Sequence, residues 1–450
     1  MKIRSLAVDV LAAITCLGGW WNCGGTDSSS DHTGQIGSAQ IEHANKKGEC
    51  SPIGVKRKDY FLHVVSTLPR SFRERAKLDI HRVSPIYEHG WCTHREGGAA
   101  HAVILVHGAA TESVTTFDLQ YPNAPDVLHP ETEEERGRNG KRYEYSLMES
   151  LARAGVETFA VNLLGYGFST RFELDDPCST SQSEQLRLLV PNPLSAVCTR
   201  PPDPFHFTNT DAAGDQLAVV VNHVLEEVDV ERVSFFSWSR GGNVVGAYTS
   251  RDSSKVERLI FLASEFEVAG NPQPFALLVA DRAQAFTPWN SQLSNDPTVC
   301  PGERDPAILD AIWTSARMRD PLGSSWGSSD KLTGGVRRAP TWDLVNWNAT
   351  TAAKVQVPTL VMSGLRDNQN PTPKQEKIYN NLASSSKVLI KIDCASHNAL
   401  WEGTASSSGW KGPHATLQDA AVQWITSGTF HTANKGIFTV SSAGAIAGPF

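Results

Sequence analysis

The residues Val233-Ser234-Phe235-Phe236-Ser237-Trp238-Ser239-Arg240-Gly241-Gly242 carry an apolar strand into a small-x-Ser-x-Gly turn, and Asn243 to Tyr248 read on as a helix. A strained strand-to-helix turn of this kind raises a serine hydroxyl at the carboxyl end of a parallel sheet, where it can serve as a nucleophile. Two serines compete, and sterics separate them. The residues two before and two after the nucleophile must be small if strand and helix are to pack closely. Around Ser239 these are Ser237 and Gly241; around Ser237 they would be Phe235 and Ser239, and the phenylalanine would clash. Ser239 is therefore the candidate, with Ser237 standing where glycine is usual.

A neutral hydroxyl is a poor nucleophile until a positioned base takes its proton. Two downstream segments offer the partners. Pro358 to Asp367 is a buried strand followed by a turn that ends in a carboxylate, and Lys387 to His397 is another strand followed by a loop with a histidine. In an open parallel sheet the carboxyl ends of strands converge on one crevice, so residues distant in sequence can meet there. Each has a rival reading. Asp367 also stands in the polar turn Arg366-Asp367-Asn368-Gln369-Asn370-Pro371, where it could cap the next helix. Glu265 and Glu267, just past Arg258 to Leu262, are alternative acids, and His397 could be structural. Asp393 reads as the solvated end of its strand.

With these motifs the chain resembles the α/β-hydrolase family, over roughly residues 55 to 430 apart from two insertions. The order serine, acid, histidine is the one that family requires. Ala102-Val103-Ile104-Leu105-Val106-His107-Gly108-Ala109-Ala110 is similar to its strand and HG loop, and Val161-Asn162-Leu163-Leu164-Gly165-Tyr166-Gly167-Phe168-Ser169 to its D-x-x-G-x-G-x-S turn, with Asn162 where Asp is common. The resemblance implies an α/β fold: a mostly parallel central sheet, helices on both faces, and a cap inserted after the sixth core strand. It implies acyl transfer by Ser239, with His397 as base, Asp367 orienting the imidazole, and the backbone N–H groups of Ala109 and Arg240 holding the oxyanion. His107 would support the HG loop rather than react. No metal or organic cofactor is implied. A serine at 239, rather than aspartate or cysteine, excludes the dehalogenase, epoxide hydrolase and dienelactone hydrolase chemistries of this family.

The elements that must position these residues follow in order. Asp59 to Val65 and Leu78 to Val83 alternate as antiparallel strands; then come strands at 102–106, 157–161, 233–237, 258–262, 359–361 and 388–392, with helical patterns such as Ser146 to Ala154 and Asp211 to Glu227 between them. Strand and helix alternation of this kind argues for a parallel sheet. The expected organisation is an export leader or lipoprotein-type segment over 1–24, a polar linker over 25–54, core over 55–267 with an excursion at 171–209, a cap over 268–353, core over 354–430 and a tail over 431–450. The cap's Phe275, Phe286, Trp289, Trp313, Met318, Trp326, Trp342 and Trp347 either line a pocket or form the cap's own small core. Its polar, proline-broken character does not suit a long-chain lipase lid, so the expected substrate is a small or medium ester. Trp238 is expected to pack under the turn.

Composition sets the compartment. The net charge is −7 over 450 residues, and no basic run suggests nucleic acid; the mixed run 131–142 reads as a solvated loop. Lys2 and Arg4 precede a mostly apolar stretch, interrupted by Asp9, as in an export signal. That stretch is too short to span a bilayer comfortably. Cys16 and Cys23 precede glycines and a polar tract, similar to the tether of bacterial lipoproteins, so either could carry a lipid, though neither follows a good lipobox. The remaining Cys50, Cys92, Cys178, Cys198, Cys300 and Cys394 show no zinc spacing, and their pairing is open. Cys178 and Cys198 bracket the shorter insertion and could staple it, a gain of about 3 kcal/mol. The expected function is an exported serine esterase acting on a small-molecule ester. The same triad serves peptidases or amidases, lactonases and acyltransferases, and the scaffold also serves non-catalytic binding modules.

Overall fold

The computed structural model describes residues 51–87, 101–121, 143–199, 206–268, 275–294, 296, 298–403 and 409–450. The two possible lipid-bearing cysteines, the leader, Cys50, Cys92 and the run 131–142 lie outside the described residues.

One sheet organises the molecule. Its strands are β1 (Gly54–Val65), β2 (Arg75–Ile86), β3 (His101–Val106), β4 (Val156–Asn162), β5 (Val233–Trp238), β6 (Val256–Leu262), β7 (Thr359–Gly364), β8 (Lys387–Ile392), β9 (Gly436–Val440) and β10 (Ile446–Ala447). Their spatial order is β1-β2-β4-β3-β5-β6-β7-β8-β9-β10. From β4 to β9 all neighbours are parallel; the β1–β2, β2–β4 and β9–β10 pairs are antiparallel. This is the α/β architecture expected from the alternation of motifs. The central strands are continuous apolar runs because both of their faces are covered. Ala102, Ile104 and Val106 of β3 face one layer, built on α3 (Thr210–Val228) and α4 (Arg240–Arg251). Val103 and Leu105 face the other, built on α1 (Ser113–Phe117), α2 (Leu147–Arg153) and α8 (Pro413–Ser427).

The sheet continues past 430, into the segment read from sequence as a tail. Gly436-Ile437-Phe438-Thr439-Val440 is too short to stand out as a strand alone, yet it covers the otherwise open edge of β8 through a parallel ladder from Val388↔Gly436 to Ile392↔Val440.

The long insertion bridges both layers at the top of the sheet. An antiparallel ribbon, Leu277–Ala280 with Arg337–Pro340, joins α3's layer; α5 (Arg282–Asn290) and α6 (Ile308–Met318) join α8's. Phe286, Trp289, Trp313, Trp326, Trp342 and Trp347 are all buried, whereas Met318 is 71% exposed. Trp347 packs on Phe261 and Phe266 and against the bare edge of Gly246, so it belongs to the core rather than to a substrate pocket. In the shorter insertion a disulfide joins Cys178 to Cys198, and a second joins Cys300 to Cys394. Among the described residues no helix is long and apolar enough to cross a membrane, and no His/Cys/Asp/Glu group could hold a metal ion.

Candidate active site

Ser239 sits between β5 and α4 with φ 56° and ψ −119°, a region that non-glycine residues avoid at a cost of about 1–3 kcal/mol. Close packing enforces it. A Cβ on Gly241 would stand 2.3 Å from the Val106 carbonyl oxygen and 2.7 Å from that of His107. The departure at Ser237 is absorbed, because its buried hydroxyl donates to the Ile260 carbonyl at 3.0 Å.

Three of the residues singled out by sequence form one hydrogen-bonded chain. His397 Nε2 lies 2.9 Å from Ser239 Oγ, and His397 Nδ1 lies 2.9 Å from Asp367 Oδ2. All three side chains are buried. Asp367 Oδ2 faces the imidazole, while Oδ1 accepts the N–H groups of Gln369 and Asn370 at 2.9 and 2.8 Å within its own turn; it does not cap the next helix, Thr372–Asn381, whose N-cap is Pro371. The alternative acids are occupied elsewhere. Glu265 lies 3.5 Å from Arg240 Nε, and Glu267 3.2 Å from Lys377 Nζ.

The HG loop lies directly against the serine, since a Cβ on Gly108 would stand 3.2 Å from Ser239 Cβ. Ala109 follows Gly108 and Arg240 follows Ser239 in the chain, and neither backbone N–H has an acceptor among the described residues. Arg240 opens α4, where the helix dipole favours negative charge. His107 fixes the loop. Burial lowers its pKa to about 4, so the ring is neutral. Its Nδ1–H donates to the Gly108 carbonyl at 2.8 Å and its Nε2 accepts the Leu163 N–H at 3.3 Å. Because the peptide unit is planar and trans, holding the Gly108 carbonyl also aims the Ala109 N–H the opposite way. The Ala109 carbonyl is held in turn by the Tyr166 hydroxyl at 2.6 Å.

Asn162 also finds its reason. Its amide donates to Asp79 Oδ2 at 2.9 Å while its oxygen accepts the Ser113 N–H at 2.7 Å. An aspartate there would set two buried carboxylates face to face.

The sequence matches the family model of serine aminopeptidase S33, Hydrolase_4, over residues 136–404, more than half of the chain. It belongs to that family of α/β-hydrolases. The hydrolase is also similar to solved structures at low identity. An esterase from Thermogutta terrifontis is 14% identical, covering 82% of this chain and 100% of its own, with TM-score 0.41. An esterase from Exiguobacterium antarcticum is 12% identical, covering 82% and 100%, with TM-score 0.41. A serine hydrolase involved in carbazole degradation is 15% identical, covering 76% and 94%, with TM-score 0.39. A search of curated proteins finds no match.

Several residues that bind the histidine and acid loops of the hydrolase to its cap carry no motif and were not anticipated. The side-chain amide oxygen Oε1 of the buried Gln292 accepts the His397 N–H at 2.9 Å and the Asn368 N–H at 3.4 Å. Arg366 Nε donates to the Gln292 backbone carbonyl at 2.9 Å. Glu402 accepts the Ser396 N–H at 2.7 Å, the Ser396 hydroxyl, and the cap's Trp289 Nε1–H at 2.6 Å. Burial pushes its carboxyl up to about 7, against those hydrogen bonds. The Cys300–Cys394 disulfide adds a covalent link three residues before His397. Trp238 packs beside the histidine ring, centroids 5.4 Å apart, and its Nε1–H donates to the His397 carbonyl at 2.9 Å.

Proposed function

We propose that this serine hydrolase is an exported esterase that cleaves carboxylic esters through an acyl-enzyme. The observation that carries the reading is the unbroken chain Ser239 Oγ, His397, Asp367, with both links at 2.9 Å and the HG loop against the serine. Ser239 Oγ attacks the ester carbonyl while His397 Nε2 takes its proton. Asp367 keeps the Nδ1 proton on the side away from the serine and stabilises the imidazolium. The Ala109 and Arg240 N–H groups receive the oxyanion, each worth about two to three powers of ten in rate. Collapse expels the alcohol, protonated by His397, and water repeats the sequence to release the acid. The two disulfides support an oxidising compartment, as does the leader-like N-terminus, through which Cys16 or Cys23 would carry any lipid.

A fluorophosphonate probe tests the nucleophile. The parent should be labelled and Ser239→Ala should not; an unlabelled parent would leave a binding module as the better reading. Acyl p-nitrophenyl esters beside aminoacyl anilides then separate an esterase from a peptidase, and turnover of the anilides alone would overturn the ester assignment.

A further inference from the structure

The HG loop leads into a cavity. Its wall begins at Ala110 and Thr111, immediately after Ala109, and runs across Tyr166 and Arg171 to Trp313 and to Arg337 and Arg338 on the cap ribbon. It is narrow, with a cavity volume of about 20 Å³ inside an empty space of about 390 Å³ that includes the open solvent at its mouth. Ser239, His397 and Asp367 do not line it; it adjoins their site through the oxyanion loop, with Tyr166 bonded to the Ala109 carbonyl on one side and bordering the cavity on the other.

Its charges do not balance. The wall carries Arg171, Arg317, Arg337 and Arg338 against Glu112 and Asp320. Asp320 is committed to Arg338 at 2.5 Å and to Arg171 at 3.5 Å, and Arg338 has a second carboxylate in Asp175 at 2.8 Å. Glu112 spends both oxygens on the Val114 and Thr115 N–H groups of its own helix, each at 2.7 Å. That leaves Arg337. No side-chain hydrogen bond or ion pair reaches its guanidinium among the described residues. Arg337 is partly exposed and is one of the residues that line the cavity. The cost of its desolvation shows in a pKa lowered by burial to about 10. A desolvated cation without a partner is expensive unless a ligand brings the counter-charge.

We infer that Arg337 is a specificity residue that receives an anionic group, a carboxylate, on the part of the substrate lying along the HG loop, so that the preferred substrate is an ester of a small acid bearing a second, ionised carboxyl. A guanidinium meets a carboxylate through two parallel N–H bonds, and the cavity that Arg337 lines begins directly after the HG loop. The same charge argues against an aminopeptidase substrate, whose free ammonium Arg337 would repel. The inference rests on the esterase reading for the reaction but not for the binding.

The probes are the monomethyl esters of succinic, glutaric and adipic acids, each beside its neutral dimethyl ester. They are titrated calorimetrically into Ser239→Ala, which cannot turn them over, and offered to the parent as substrates. At least one monoester should bind Ser239→Ala about ten- to a hundredfold more tightly than its diester. Adding Arg337→Gln should bring that ratio close to one at an unchanged melting temperature. Should the glutamine variant fail to fold, Arg337→Lys takes its place and should lower the ratio without abolishing it. Equal binding of every pair, or a ratio untouched by the Arg337 change, overturns the inference. Preferential binding of a monoester without hydrolysis by the parent would sink the ester reading and leave the anion site standing; hydrolysis and binding of both members alike would do the reverse.

Discussion

Two of the buried histidines that meet carboxylates, His397 and His81, are built for opposite ends. His397 meets one carboxylate, Asp367, and on its other nitrogen a hydroxyl. His81, on β2, meets carboxylates on both: Asp59 at 2.6 Å from Nδ1 and Asp118 at 2.9 Å from Nε2. Arg57 closes that cluster, donating to Asp118 at 2.7 Å and to Glu149 at 2.9 Å. Burial opposes charge on His81, but the hydrogen bonds and charges of Asp118 and Asp59 overcome it and raise its pKa to about 9. With both nitrogens donating, His81 is an imidazolium that has no lone pair to offer. A general base needs one nitrogen free to accept, and only His397 has a hydroxyl there. The difference is between a histidine that holds β1 and β2 to α1 and α2 and one placed to move a proton.

Exchanging the two histidines for alanine should separate these roles most widely. His397→Ala should lose about 10⁴-fold or more in kcat/KM against a p-nitrophenyl ester while keeping its unfolding midpoint. His81→Ala should lose about 3–5 kcal/mol in denaturant unfolding, because buried charges lose a partner, while any folded fraction keeps its kcat. Equal losses of activity in both would erase the distinction.

A smaller effect sharpens the same contrast. Because the folded-state pKa of His81 stands above its unfolded value, the stability it gives is fully present below about pH 6.5 and is lost as pH rises through 9. Unfolding free energy measured at pH 6 and pH 9.5 should fall by about 3 kcal/mol more in the parent than in His81→Gln. Parallel curves for the two proteins would mean that His81 is not held charged.

The smallest expected change concerns the support behind His397. Glu402→Gln keeps the shape but weakens the bonds to Ser396 and Trp289, and should lower kcat about tenfold with little change in KM. Unaltered kcat would show that Gln292 and the Cys300–Cys394 link hold the loop without it.

What could be read from the chain follows from local rules. The turn at Ser239 was legible because strand, small residues and helix occur within one stretch, and the strands at 102–106 and 233–237 because both of their faces are buried, which leaves continuous apolar runs. Gln292 and Glu402 were not legible, since each acts through a partner in another segment and neither has a motif. Strand β9 lacked a signal for the same reason: five residues become a strand only when the edge of β8 lies beside them.

By itself, then, the sequence singled out Ser239 in its turn, the carboxylate and histidine that follow later strands, and the alternation of strand and helix, because each depends on residues within a few positions of one another. Tertiary structure alone decided which histidine meets a serine hydroxyl and which is held charged between two carboxylates, and which of the described cysteines pair. Those outcomes are sums of Coulomb and hydrogen-bond terms over neighbours drawn from distant parts of the chain, and the neighbours do not exist until the sheet brings them together.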